Sequence, residues 1–275
     1  MQDVLAYCES FVRWPPHVDY AARLAARLGG HVTGMYVAPS PSDMPVPYET
    51  PELIADLAQA LQEKKEEALS AGPSFEAYAG ERGATSASWQ VAEGQLPQAL
   101  KFAGNWHDVL VIGRARHAPW GSVATVGNMV LGAETPCIVV PDEPLSTMTL
   151  QTVAIAWNGS MEAIRATHAA IPLLRHARRV TILHGAQHPP AGMRAWQPPF
   201  DLPAYLARHG VPCESELLSE PEDSAGDGLL RMARRTAADL LVMGAYGHTR
   251  LREWVLGGAT RGVLEAMDIP VFMQH

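Results

Sequence analysis

The chain repeats itself, and that constrains its fold more than any other feature. Asp108-Val-Leu-Val-Ile-Gly113 returns as Asp239-Leu-Leu-Val-Met-Gly244 at an offset of 131 residues, and His31-Val-Thr33 returns as Arg179-Val-Thr181 at an offset of 148. A third echo pairs Thr135-Pro136 and its apolar run to Val140 with Ile269-Pro270 and the run to Met273. Two similar halves are therefore read, the second shorter between the first two echoes. The length of 275 residues agrees, since a domain commonly takes about 150. Between the halves lies Pro141-Asp-Glu-Pro144-Leu-Ser-Thr147, polar and punctuated by proline, which reads as a linker. The expected domains are 1–143 and 150–275.

Within each half, short apolar β-branched runs alternate with longer helical patterns, the mark of β-α-β units on a parallel sheet. The first half offers strands at Asp3 to Cys8, His31 to Val37, Ser86 to Val91, Val109 to Gly113 and Cys137 to Val140. The second offers Thr152 to Trp157, Val180 to Gly185, Cys213 to Leu218, Leu240 to Gly244 and Val271 to Met273. Helices are expected near Glu162 to Arg175, Phe200 to Arg208, Gly226 to Ala237 and Gly258 to Ala266, the last stopping before Pro270. A longer helical stretch, Pro51 to Arg82, should kink or divide at Gly72-Pro73, and its run Glu63-Lys-Lys-Glu-Glu67 reads as a solvated face. The expected fold class is α/β: two tandem open, mostly parallel five-stranded sheets flanked by helices, Rossmann-like in plan.

Composition removes several functions. Apolar residues make up 47% and charged ones 18%, a globular balance. Twenty-nine acidic against twenty-one basic residues give a net charge of −8, which repels polyanions and argues against nucleic acid as a partner. No apolar stretch reaches the roughly 18 residues a membrane span needs, and no basic-then-apolar leader opens the sequence. Cys8, Cys137 and Cys213 are far apart and form no metal or redox spacing, which fits a reducing, cytoplasmic setting. No metal site is expected. His184 and His188 flank a loop rather than a helix turn, and a lone strand-end histidine is ordinarily a hydrogen-bonded structural group.

One strand-end loop could carry chemistry. Gly244-Ala-Tyr-Gly247-His248 continues through Arg250, Arg252 and Trp254 to Gly257-Gly258-Ala259-Thr260-Arg261, where a helix is expected to open. Its spacing is Gly-x2-Gly-x9-Gly. Glycines let backbone amides approach a ligand, and free N–H groups at a helix start attract phosphate oxygens. The bland alternative is that Gly244 and Gly247 turn the chain while Gly257 and Gly258 let the helix pack close to the sheet. Arg261 is the expected phosphate partner, while Arg250 and Arg252 read as solvated.

These residues resemble the universal stress protein family in its tandem two-domain form, and the resemblance covers nearly the whole chain. It implies an adenine-nucleotide-hydrolase-like fold and a phosphate loop of the Gly-x2-Gly-x9-Gly type followed by Ser or Thr. Gly258 replaces that hydroxyl residue, and Thr260 could supply one to phosphate or Mg2+. Trp157-Asn158-Gly159-Ser160 resembles the family's first strand end, where ATP-binding members carry an aspartate; Asn158 stands in its place. Leu183-His184-Gly185 stands where the family presents an adenine wall. The nucleotide-contacting set implied is Ala156, Trp157, Asn158, Gly185, Met243, Gly244, Gly247, His248, Gly257, Gly258, Ala259, Thr260 and Arg261.

The first half departs from that pattern. Arg116 takes the place of the second glycine, and Val123, Ala124 and Val126 those of Gly257, Gly258 and Thr260, so its loop is expected to be degenerate. Glu9 holds the first-strand acidic position.

Three functions follow. The first is a stress-response regulator binding ATP or a related adenine nucleotide in the C-terminal half, with slow or no hydrolysis, since no Walker, dinucleotide or nucleophile-elbow motif occurs. The second is a universal stress scaffold acting through protein contacts. The third is a small-molecule site in the first half near Glu9, Trp14 and Trp120, against the plainer reading that these tryptophans pack. The short apolar final strands need covering, and the family resemblance implies an intrachain pseudo-dimer that could double into a homodimer.

Overall fold

A computed structural model describes residues 1–40, 51–115, 121–143, 148–185, 201–218, 225–246 and 258–275. The chain divides into two compact units, Met1–Pro144 and Leu145–His275.

The first unit runs β1 (Asp3–Tyr7), α1 (Pro16–Leu28), β2 (His31–Ala38), α2 (Pro51–Ser70), α3 (Gly72–Glu81), β3 (Ser86–Glu93), α4 (Leu96–Gly104), β4 (Val109–Arg114), α5 (Val123–Gly132) and β5 (Cys137–Pro141). Its strand order is β3-β2-β1-β4-β5, and every pairing is parallel. The long helical stretch is divided as the Gly72-Pro73 pair requires: Pro73 sits at the start of α3, where its missing N–H costs nothing.

The second unit runs β6 (Thr152–Trp157), α6 (Met161–Leu174), β7 (Arg179–His184), α7 (Leu202–Arg208), β8 (Glu214–Leu217), α8 (Ala225–Arg235), β9 (Leu240–Gly244), α9 (Gly258–Ala266) and β10 (Val271–Gln274). Its order is β10-β9-β6-β7-β8, again wholly parallel. The expected open, parallel α/β fold with flanking helices is therefore observed. Val153, Ala154, Ile155, Leu240, Leu241, Val242, Val271, Phe272 and Met273 are sealed from solvent, as strands covered on both faces should be.

The echoed aspartate has a shared duty. Asp108 accepts from the backbone N–H groups of Gln2 (2.5 Å) and Asp3 (3.1 Å). Asp239 accepts from those of Gln151 (2.6 Å) and Thr152 (3.3 Å), and from the Thr149 hydroxyl. In each unit a side chain ahead of the fourth strand thus satisfies the amides that open the first. The main chain repeats the clasp, with Asp108 N–H bonding Asp3 O and Asp239 N–H bonding Thr152 O. Amide bonds hold the Asp108 carboxyl below the usual range against the opposing effect of partial desolvation, which is the larger single influence but is outweighed by their sum with the nearby positive charges.

Among the described residues no helix is long and apolar enough to cross a membrane.

Candidate functional site

In both units the first strand is central: the chain leaves it in one direction through the second and third strands, then returns to its other side for the fourth and fifth. The switch falls between β1 and β4 in the first unit and between β6 and β9 in the second, and ligands of open α/β sheets bind beyond the carboxyl ends of strands at such a point. Asn158 and Gly159 follow β6 there, and Gly244, Ala245 and Tyr246 follow the register of β9 beside it.

The loop after β6 turns tightly. Gly159 takes a left-handed φ of 74°, Asn158 Oδ1 accepts from Ser160 N–H at 3.0 Å, and Ser160 Oγ caps α6 by accepting from Ala163 N–H at 3.2 Å. Asn158 is exposed at the strand end. Ala156 and Gly185 are half-buried, Met243 and Trp157 buried, and Trp157 pairs with His184 across the β6–β7 ladder.

Gly244 is crowded from the other side. A Cβ there would lie 2.6 Å from both Ala163 N and Glu162 C, backbone atoms of the first turn of α6. Its counterpart Gly113 is crowded likewise, by the His17 ring at 2.4 Å. Both echoed glycines are explained by a helix packed onto a strand end, a role the sequence reading gives to Gly257 and Gly258 and not to Gly244, which it expects either to cradle phosphate or to turn the chain.

Gly258 differs, because among the described residues no atom beyond its chain neighbours and its own helix backbone lies within 4 Å of where its Cβ would be. It opens α9 on an exposed surface, with Ala259 half-buried behind it. Thr260 is 4% exposed and its hydroxyl accepts from Tyr246 N–H at 3.3 Å, while Tyr246 holds a left-handed φ of 66°. Arg261 turns along its own helix to Glu265, with Nε 2.6 Å from Oε1. Gly247, His248 and Gly257, with Arg250 and Arg252, lie outside the described residues. The structure thus sets the end of β9 beside β6, whose end leads to Asn158, and holds Tyr246, just past β9, on Thr260 of α9.

The corresponding place in the first unit is closed by its own side chains. Glu9 faces His17, whose Nε2 lies 3.2 Å from the carboxylate and 2.7 Å from Tyr7 O. Burial would raise the Glu9 carboxyl, but the His17 hydrogen bond and charge outweigh it and hold it below the usual range. Arg114, 7% exposed, donates to Gly121 O at 2.5 Å, and Ser122 Oγ caps α5 by accepting from Thr125 N–H at 3.1 Å. Arg114 and Gly121, on the two sides of the first-half loop, are thus bonded to each other, and Ala245 stands where Arg114 does in the second half. Trp14 packs against Phe75 and Trp89, with ring centroids 5.4 and 5.5 Å apart, and Trp120 lies outside the described residues.

Sequence reasoning did not anticipate His17, Arg114 or Ser122 as the groups that close this site. A Ser before an apolar helix start was the available signal for Ser122 and Ser160; nothing local marks His17, which acts across the fold.

Two doubly wound parallel sheets, each reversing its strand order at the first strand, define the class: an open, parallel α/β protein with flanking helices. The chain is similar to the universal stress protein family, whose model matches residues 214–275, from β8 to His275. A universal stress protein of Synechocystis is 28% identical over 174 residues, 60% of this chain and 56% of that one, so the match spans little more than half of that relative. Among solved structures, a universal stress protein from Archaeoglobus fulgidus superposes with a TM-score of 0.69 at 16% identity, over 99% of this chain and 95% of its own. A functionally unknown protein from Pseudomonas aeruginosa gives 0.54 at 14% identity, over 100% and 92%. These two superpositions are similarities of fold.

Proposed function

We propose that this protein is a stress-response regulator whose C-terminal unit, 150–275, binds ATP or a related adenine nucleotide, turning it over slowly or not at all. The observation that carries the reading is the switch point between β6 and β9, with exposed Asn158 on one side and the open Gly258 start of α9 on the other. The residues fit the group. An exposed helix start suits phosphate oxygens, and an exposed amide at the neighbouring strand end can exchange hydrogen bonds with ribose hydroxyls. In this reading the loop from Gly244 through Gly247 and His248 to Gly257 wraps the phosphates, and Ala259, Thr260 and Arg261 stand at the helix end of the site. Ala156, Trp157, Gly185 and Met243 border the nucleoside side. Thr260 retains its hydroxyl proton while accepting from Tyr246, so it can donate to a phosphate oxygen. The first unit, 1–143, serves as a partner domain; Glu9, at its first strand end, is engaged by His17, and Arg114, at the end of β4, by Gly121 O, which supports this reading.

Titration with ATP and Mg2+ tests this. Gly257→Val, Gly247→Arg and Gly258→Val should each weaken binding at least tenfold, and unchanged affinity in all three removes the loop from the account.

The scaffold reading draws on two observations: Thr260 already accepts a backbone bond, and Arg261 already has Glu265. Mass spectrometry of the protein purified without added ligand separates the readings, since a co-purifying adenine nucleotide is incompatible with a scaffold that binds none.

A further inference from the structure

A concave site lies within the N-terminal unit, lined from β2, β3 and α4 and not from the β1–β4 switch point. It is a cleft of about 480 Å³ between α4 and the neighbouring face of β2 and β3, within the size range of small-molecule sites. Its origin is the way α4 is laid down. Leu100, Ala103 and Gly104 turn inward, while the adjoining stripe Gln95, Gln98, Ala99, Phe102 and Trp106 follows helical spacing along the next face and overhangs the sheet. Opposite stand Met35, Gln90 and Ala92, with Met35 paired to Gln90 and Val37 to Ala92. The other face of these strands, bearing Tyr36 and Ala38, packs on α2 instead.

The cleft is lined in three ways. Met35, only 2% exposed, and Ala92 and Ala99 give it an apolar base. Phe102, on α4, and Trp106, in the turn just past its end, stand 72% and 76% exposed at its margin, two large aromatic surfaces four residues apart. Gln90, Gln95 and Gln98 add amide groups, with Gln98 Nε2 donating to Gln95 Oε1 at 3.3 Å. His107 closes one end rigidly: its Nδ1 lies 2.8 Å from Ala103 O and its Nε2 3.0 Å from Thr33 Oγ1.

Charge decides what such a cleft can hold. Among the described residues neither lysine nor arginine lines it, and the one lining carboxylate, Glu93, is bonded to Lys65. The start of α4 offers little to an anion, because Pro97 has no N–H and the Gln98 and Ala99 amides both bond Gln95 O, at 3.1 and 3.0 Å. Gly94 N–H is likewise taken by Ala38 O at 3.0 Å. A phosphorylated ligand meets a carboxylate here and, among the described residues lining the cleft, only neutral side-chain amide and indole donors and no cationic side chain.

We infer that the α4–β3 cleft of the N-terminal unit binds an uncharged, planar heteroaromatic molecule bearing amide-type N–H and C=O groups at its edge. Phe102 and Trp106 supply the stacking surfaces, Met35 and Ala92 the apolar floor, and the glutamines the complementary edge. This site is independent of nucleotide binding by the C-terminal unit.

Lumichrome, a neutral tricyclic heteroaromatic with a dione edge, is the probe, titrated by equilibrium dialysis against the full chain with and without saturating ATP. A dissociation constant on the order of 0.1 mM is expected for a molecule of that size, unchanged by ATP. Phe102→Ala and Trp106→Ala should each weaken it about tenfold, and riboflavin 5′-phosphate should bind at least tenfold more weakly than lumichrome. Both side chains are exposed, so the variants should keep the parent's circular dichroism and unfolding midpoint. Absence of binding at 1 mM, parental affinity in the double variant, or equal binding of the phosphorylated probe overturns the proposal. So does a dimer in light scattering that the double variant converts to monomer without any lumichrome binding, which would show that a second copy covers this face.

Discussion

The two glycines at the ends of the phosphate-type loop should respond oppositely to the same added methyl group. Gly244→Ala places a Cβ 2.6 Å from Ala163 N and Glu162 C and 2.8 Å from Glu162 Cβ, against an ordinary separation of about 3.5–4.0 Å. The overlap is roughly 1 Å with backbone on two of its three contacts, and the Ser160 cap fixes that helix start, so relief requires moving α6 as a whole. Overpacking of this kind costs about 1–3 kcal/mol, and the rigid partner places it at the upper end. Gly258→Ala meets nothing within 4 Å and needs no left-handed backbone. Replacing Gly by Ala in a helix gains up to about 1 kcal/mol, and less at its first position. The variants should therefore differ by about 3 kcal/mol, which at a urea dependence of about 2 kcal/mol per molar separates their midpoints by roughly 1.5 M. Urea titrations followed by far-ultraviolet circular dichroism read this directly. Coincident midpoints, or greater damage at Gly258, would refute the assignment of Gly244 to packing and of Gly258 to open surface.

Further expectations follow from the same geometry. Asp239→Ala leaves the Gln151 and Thr152 amides and the Thr149 hydroxyl without their shared acceptor, and should destabilise by about 2–3 kcal/mol in denaturant titration, with Asp108→Ala somewhat milder at its more exposed site. The Glu9 carboxyl is held below its usual range when folded, so its stabilisation is complete above the unfolded value of about 4.3 and is lost as pH falls through the folded value. Glu9→Gln should lower stability at pH 7 and flatten the acid limb of a pH–stability curve, while Asp108 and Asp19, also held low, keep some slope. Burial pushes the Cys137 thiol up to about 12 and Cys8 up as well. Native alkylation with iodoacetamide at pH 8 should reach Cys213 first and spare the other two until unfolding, as intact-mass spectrometry would show.

The fold was legible because strands and helices leave local signatures. β7 and β8 lie within one residue of the runs Val180 to Gly185 and Cys213 to Leu218, and α6 begins one residue ahead of Glu162 because Ser160 caps it. The helix over Pro51 to Arg82 divides where Gly72 and Pro73 forbid continuity. The site was legible in part. Asn158 and Gly258 stand at strand and helix ends because their neighbours' patterns end there, and periodicity can reveal that much. It could not reveal that Gly244 is a glycine for the sake of α6, since the crowding atoms lie about eighty residues away in sequence. Nor could it show that His17 and Arg114 occupy the first unit's crevice: both are buried polar groups whose partners come from other elements or beyond a turn. The α4 stripe was equally hidden, because Phe102 and Trp106 look like core residues until the packed face of the helix is known.

The aspartate clasp sets an order on assembly. Each central strand emerges first from the ribosome, yet its opening amides wait for a carboxylate 106 residues later in one unit and 88 in the other. Closing such spans carries an entropic cost that grows only slowly with their length, but contacts of this range slow folding. The hub of each sheet is therefore made early and fastened late, and a nascent chain halted before Asp108 should hold β1 without the bonds that fix its start.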